Sequence, residues 1–232
     1  MSEISFKVVC FGDSTTDATF APSDPNFMPN YKGLKVYSKW LEEKLPDLIL
    51  KNIEVINAGV SGDTTKDAKQ RFQQDVIDHH PDLVVIQFGV NDQSVRQDLN
   101  IEVPIVSVEA YAYNLLFFIS RIRKIKAAII LMTPGILMWN DNFKQKYFKK
   151  PYDLNAKFGL NGHLIKYVEM MRKIAQIENI PLVDVFQAEL DHEEKNRQTV
   201  SALLPDGLHP NNKGHEFIAD LLINHLIRSW VQ

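Results

Sequence analysis

Leu83-Val84-Val85-Ile86-Gln87-Phe88 is apolar almost without a break, rich in β-branched residues and too short for an ordinary helix. Such a run fits a strand covered on both faces, as in a parallel sheet with helices on either side. Four more runs share this character: Ile4 to Phe11, Ile53 to Ile56, Ala127 to Met132 and Pro181 to Val185. Helical patterns lie between them. Leu34, Tyr37, Trp40, Leu41 and Leu45 recur at helical spacing up to Pro46, which is expected to end that helix. Lys66 to His79, Ser107 to Lys124, Leu160 to Glu178 and Asn211 to Trp230 read as further helices. Thr15 to Lys32, with Pro22, Pro25 and Pro29, reads as loop, Ile136 to Gly159 shows no clean period, and Phe186 to Leu204 is mixed and polar.

Strands alternating with helices imply parallel pairing with crossovers of one hand. The expected fold is α/β: a three-layer α/β/α arrangement, doubly wound on a five-stranded parallel sheet. No repeat, low-complexity tract or linker interrupts the 232 residues, so one domain over 1–232 is expected.

This layout has a chemical consequence, because ligands of open parallel sheets bind beyond the carboxyl ends of the strands. Ser14 follows the first strand directly, Gly62 follows the second within a few residues, and Asn91 follows the third. Ser14 suits a nucleophile, provided that a base lies beside it. On position alone, a serine there better suits a helix N-cap. His209, in a loop before the last helix, can serve as that base. Asp206, three residues earlier with Gly207 between, can hold Nδ1 of the same imidazole and leave Nε2 for the serine. A polar turn in which Asp206 caps backbone amides is the competing reading. The Asn91 side chain and the Gly62 backbone, with the Ser14 amide, can donate to a developing oxyanion, although Gly and Asn are also the usual residues of turns.

Four segments carry these groups: Gly12-Asp13-Ser14-Thr15, Asn57 to Thr64, Gly89-Val90-Asn91-Asp92 and Asp206-Gly207-Leu208-His209-Pro210. Taken together they resemble the blocks of the SGNH hydrolases, the GDSL esterase/lipase family. The resemblance runs from residue 8 to the final helix. It implies a flavodoxin-like fold and serine ester hydrolysis through an acyl-enzyme, with Ser14, Asp206 and His209 as triad and no cofactor. It aligns Gly62 with the oxyanion glycine, Gly59 being the competing alignment. Threonine stands after Ser14 where leucine is usual. Members cleave acetylated sugars, lysophospholipids, thioesters and aryl esters. A short-acyl esterase, acting on an acetylated sugar or other small ester, is the leading expectation. A lysophospholipase or acyl thioesterase is the alternative, and a catalytically silent binding module is the non-enzymatic one.

The segment from Ile136 to Gly159 should overhang the same sheet edge. Trp139, Phe143 and Tyr147 in it are candidates for substrate contact, for packing of the loop, or for a homo-oligomer contact. Asp13 and Asp92 are assigned to loop architecture. A formal net charge of −3 argues against general affinity for nucleic acid or anionic membrane. There is no Cys/His cluster, so no metal is expected. The single cysteine, Cys10, lies within the first strand, which excludes an internal disulfide. Neither a secretory signal nor a membrane span is visible, and a cytoplasmic protein is expected.

Overall fold

The computed structural model describes residues 5–21, 26, 28–49, 52–96, 99, 102–138, 150–153, 159–196 and 200–230. Five strands, β1 (Phe6–Gly12), β2 (Ile53–Gly59), β3 (Leu83–Gln87), β4 (Ala128–Met132) and β5 (Leu182–Val183), form one sheet in the order β2-β1-β3-β4-β5. Every pairing is parallel. The described helices are α1 (Tyr37–Ile49), α2 (Thr65–Asp75), α3 (Val108–Lys124), α4 (Leu164–Ile177), α5 (Val185–Asn196) and α6 (Asn212–Trp230). This is the expected doubly wound α/β arrangement.

Alternation along the strands divides the core in two. Val9 and Phe11 of β1, with Val84 and Ile86 of β3, face Phe72 of α2 and Phe118 of α3. Val8 and Cys10, with Leu83 and Val85, face Leu41 of α1 and Leu222 of α6. Burial pushes the Cys10 thiol up to about 12, so it is an inert core group. His215 is also structural: fully buried on α6, it accepts the Tyr37 amide at Nδ1 over 3.3 Å. A third apolar cluster, including Val90, Ile136, Leu164, Phe186 and Leu204, joins the loops after β3 and β4 to the segment before α6.

Three local expectations need correction. Pro46 does not end α1, which continues to Ile49. Buried Tyr37, Leu41 and Leu45 hold the helix, and this packing outweighs the backbone bond that proline cannot make. β5 is only two residues long, and Val185 already belongs to α5. The stretch read as mixed and polar contains that helix. Its apolar face is narrow, and a buried acid, Glu189, interrupts it.

The strand order reverses direction at β1 and β3, whose carboxyl ends therefore flank a crevice. Gly12 pairs with Gln87 at that end, and with Gly59 of β2 on its other side. Ser14, Gly62 and Asn91 all lie within a few residues of this edge.

Candidate active site

β1 runs into a single tight turn. The amides of Thr16 and Asp17 both donate to Asp13 O at 3.0 Å, and the Thr15 amide donates to Asp13 Oδ1 at 3.1 Å. Asp13 is buried, and the loss of water pushes its carboxyl up to about 7, with the charges of Asp92 and Asp63 adding to the rise. The architectural assignment of Asp13 agrees with these bonds. Ser14 is lifted out of the same turn, and its Oγ lies 2.9 Å from Nε2 of His209, 195 residues away.

The histidine sits in a loop that largely bonds to itself. Asp206 Oδ1 accepts the amides of Leu208 at 2.9 Å and His209 at 2.7 Å, and Asp206 Oδ2 lies 2.6 Å from His209 Nδ1. Gly207 permits this turn because its φ is +90°, where side chains are strained. Burial raises the Asp206 carboxyl. The hydrogen bonds and charge of His209 and the two amides outweigh that and hold it below its usual range. An ionised Asp206 only accepts, so the proton on a neutral imidazole belongs on Nδ1. Nε2 is then free to accept from the Ser14 hydroxyl.

Two aromatic residues from the loop after β1 dock this unit. The Phe20 ring stacks on the imidazole, with centroids 3.9 Å apart and planes 28° from parallel. Tyr31 Oη donates to His209 O at 2.8 Å. Phe20, Ala21, Met28, Pro29, Tyr31 and Lys32 line a cavity of about 370 Å³. The segment after β4 also reaches the loop: the Met138 amide donates to Gly207 O at 2.8 Å, and the Ile136 amide donates to Glu189 Oε2 at 2.7 Å. Desolvation pushes the Glu189 carboxyl up to about 8.

The second loop is held from both sides. Asp17 Oδ2 accepts from the Ser61 amide at 3.0 Å and the Ser61 hydroxyl at 2.6 Å. Gly62 is exposed at φ +86°, and no atom lies within 4 Å of the position a Cβ would take. Gly59 is different. Its amide is used by Asn57 Oδ1 at 3.1 Å, and a Cβ there would come within 2.3 Å of the Asp17 nitrogen. The geometry thus favours Gly62 over Gly59 as the open donor. Asn91, half-buried in the loop after β3, donates from Nδ2 to Asp63 O at 3.0 Å. An amide nitrogen carries two hydrogens, so one remains. The neighbouring Asp92 is spent on structure: Oδ1 accepts the Thr65 amide at 3.0 Å and the Thr65 hydroxyl at 2.5 Å, and burial pushes the carboxyl up to about 6.

Ser14, Asp206 and His209 therefore form one hydrogen-bonded chain, with the Gly62 and Asn91 loops emerging from the same sheet edge. Sequence reasoning did not find Phe20, Tyr31 or Asp17. An aromatic or acidic residue in a proline-rich loop carries no periodicity that announces a contact. Trp139, Phe143 and Tyr147 lie outside the described residues. Tyr152, from the same segment, is buried. Among the described residues there is no group of three or more His, Cys, Asp or Glu suited to a metal ion. No described helix is long and apolar enough to cross a membrane.

The model of the GDSL-like lipase/acylhydrolase family matches residues 10–217. The chain is 30% identical to an uncharacterized lipoprotein, YqeF, of Bacillus subtilis, over 87% of this chain and 79% of that one. It is 29% identical to an acetylxylan esterase of Geobacillus stearothermophilus (97% and 96% covered) and 27% identical to an arylesterase of Vibrio mimicus (98% and 91%). The crystal structure of Axe2, an acetylxylan esterase from Geobacillus stearothermophilus, superposes with a TM-score of 0.72 at 26% identity, over 97% of this chain and 96% of that one.

Proposed function

This chain belongs to the GDSL-like lipase/acylhydrolase family and is a carboxylic-ester hydrolase, and we propose that it works through an acyl-enzyme on Ser14 and releases short acyl groups. The observation that carries the reading is the continuous chain Ser14 Oγ, His209 Nε2, His209 Nδ1, Asp206 Oδ2, with links of 2.9 and 2.6 Å. Solved structures of Axe2 include catalytic mutants in which a serine, an aspartate and a histidine are each replaced by alanine, which supports the same three roles here.

Ser14 Oγ attacks the ester carbonyl while its proton passes to Nε2 of His209. Asp206 stays ionised, keeps the imidazole oriented and stabilises the imidazolium. The carbonyl oxygen becomes an anion facing the amides of Ser14 and Gly62 and the free hydrogen on Asn91 Nδ2. One such donor is worth about 3–4 kcal/mol in the transition state. The imidazolium then gives its proton to the leaving alcohol. Water, deprotonated by His209, attacks the acyl-enzyme and frees the acid and Ser14. The scheme requires no cofactor.

An acetyl-sized acyl group is supported by the acetylxylan esterase relative. The cavity beside Phe20 and Tyr31 lies on the His209 side, where the leaving oxygen is protonated. We read it as a seat for part of the alcohol, and its lining favours an apolar alcohol over a sugar. The proposed enzyme is cytoplasmic. YqeF is called a lipoprotein, and fractionation with cytosol rather than membrane would separate the two settings.

Hydrolysis of p-nitrophenyl acetate tests the core of this scheme. Ser14→Ala is expected to lower kcat at least about 10³-fold with the fold intact, and activity surviving that change would refute it. Across p-nitrophenyl esters, kcat/KM should be flat or fall beyond butyrate. A steady rise, near the roughly 0.8 kcal/mol that each buried CH₂ contributes, would instead indicate a lipid or long-chain thioester. Phenyl acetate compared with acetylated xylose decides the alcohol.

A further inference from the structure

Arg71 lies on α2, the helix that follows the Gly62 turn, and its side chain bonds back to that turn. Its Nε donates to Asp63 Oδ2 at 2.6 Å, and Nη1 donates to Ala58 O at 2.8 Å and Asp75 Oδ2 at 2.9 Å. Nη2 donates to Gly12 O at 3.0 Å, and the guanidinium carbon lies 4.8 Å from the centre of the Phe11 ring. An arginine on a solvated helix face would extend into water. This one is only 17% exposed along its side chain.

Apart from Asp75 on the same helix, the partners of Arg71 lie close in the chain to the proposed oxyanion donors. Gly12 ends β1 just before Asp13 and Ser14. Ala58 lies at the end of β2, on the approach to Gly62. Asp63 directly follows Gly62, and its main-chain oxygen accepts Asn91 Nδ2 at 3.0 Å. One planar cation is therefore tied directly to the chain beside the Ser14 and Gly62 amides, and through Asp63 to the end of the Asn91 side chain.

We propose that Arg71 is the positioning residue of the oxyanion site, setting the separation of Ser14, Gly62 and Asn91 through its bonds to Gly12, Ala58 and Asp63. The inference rests on the Ser14 mechanism above. Fixed donors stabilise a developing charge because they need no rearrangement when it appears. The guanidinium suits the task because its rigid fork serves several acceptors in different directions, whereas a lysine ammonium is a point charge on a flexible stem.

The test uses the full chain with p-nitrophenyl acetate and an aryl trifluoromethyl ketone, which forms an oxyanion-bearing adduct with a reactive serine. Arg71→Lys is expected to lower kcat about 10- to 100-fold, with KM within about twofold, and to weaken the ketone by a similar factor, as loss of donor alignment predicts. In an Asn91→Ala background the same change should cost less than in the parent, because one of the three donors it aligns is already gone. An equal loss in both backgrounds, an effect on KM alone, or a lowered Tm with kcat unchanged would overturn the proposal. If Arg71→Lys does not fold, Asp63→Asn makes the same distinction. It keeps the side-chain shape and should lower kcat and ketone affinity together, while unchanged values of both would overturn the proposal. Turnover that survives Ser14→Ala is a separate result, which removes the underlying mechanism rather than the role of Arg71 within it.

Discussion

Ser14, Gly62 and Asn91 leave three different strands, and bonds between distant parts of the chain set their places. Asp17 holds Ser61, Arg71 holds Gly12 and Ala58, and Asp63 holds Asn91. Asp206 and His209 belong to one short loop whose principal bonds are internal. The loop meets the rest of the site through a few docking contacts, from Phe20, Tyr31 and Met138. The serine side is thus a lattice, and damage to any strut should spread to several donors. The histidine side is a unit, whose internal geometry should survive a disturbance that shifts it bodily.

The largest expected effect comes from dismantling the unit. His209→Ala should lower kcat on p-nitrophenyl acetate about 10⁴-fold or more, and adding Asp206→Ala should cost little further. Additive losses would mean that Asp206 acts outside the pair and would break the contrast. Next comes the lattice: Asn91→Ala should lower kcat about 10²- to 10³-fold, with a much smaller effect on KM. A change confined to KM would move Asn91 from the oxyanion to substrate binding.

The smallest effect is on stability, and it probes the support under the histidine side. Glu189, which holds Ile136 beside the Met138–Gly207 contact, has its carboxyl raised from 4.5 to about 8 by burial. A raised acid contributes fully below its unfolded value, and that contribution is lost as pH rises through the folded one. Glu189→Gln keeps an acceptor for the Ile136 amide and cannot ionise. Its Tm advantage over the parent should therefore widen between about pH 4.5 and 8 and level off above, by on the order of 10 °C in a calorimetric series. A constant difference across that range would show that Glu189 is not buried as described.

The same contrast explains what the sequence revealed. The Asp206–His209 unit was legible because its contacts are separated by two or three residues, so its geometry is nearly written in the spacing. Ser14, Gly62 and Asn91 were legible for another reason: each follows a buried strand, and parallel topology brings strand ends together. The struts between them were not. Arg71 and Asp17 read as ordinary polar residues of a helix and a loop, because their partners are distant in the chain. The helix α5 was hidden because Glu189 breaks its apolar stripe. Cys10 was placed correctly because an unbroken apolar run leaves a small thiol no other role.

Ser14 and His209 stand 195 residues apart in the chain while sharing a hydrogen bond. On the proposed mechanism, a chain stopped anywhere before the Asp206–His209 loop would carry the hydroxyl without the base that awakens it. Truncated products that end before residue 206 should thus remain inert, and turnover would report that two loops far apart in the chain have met.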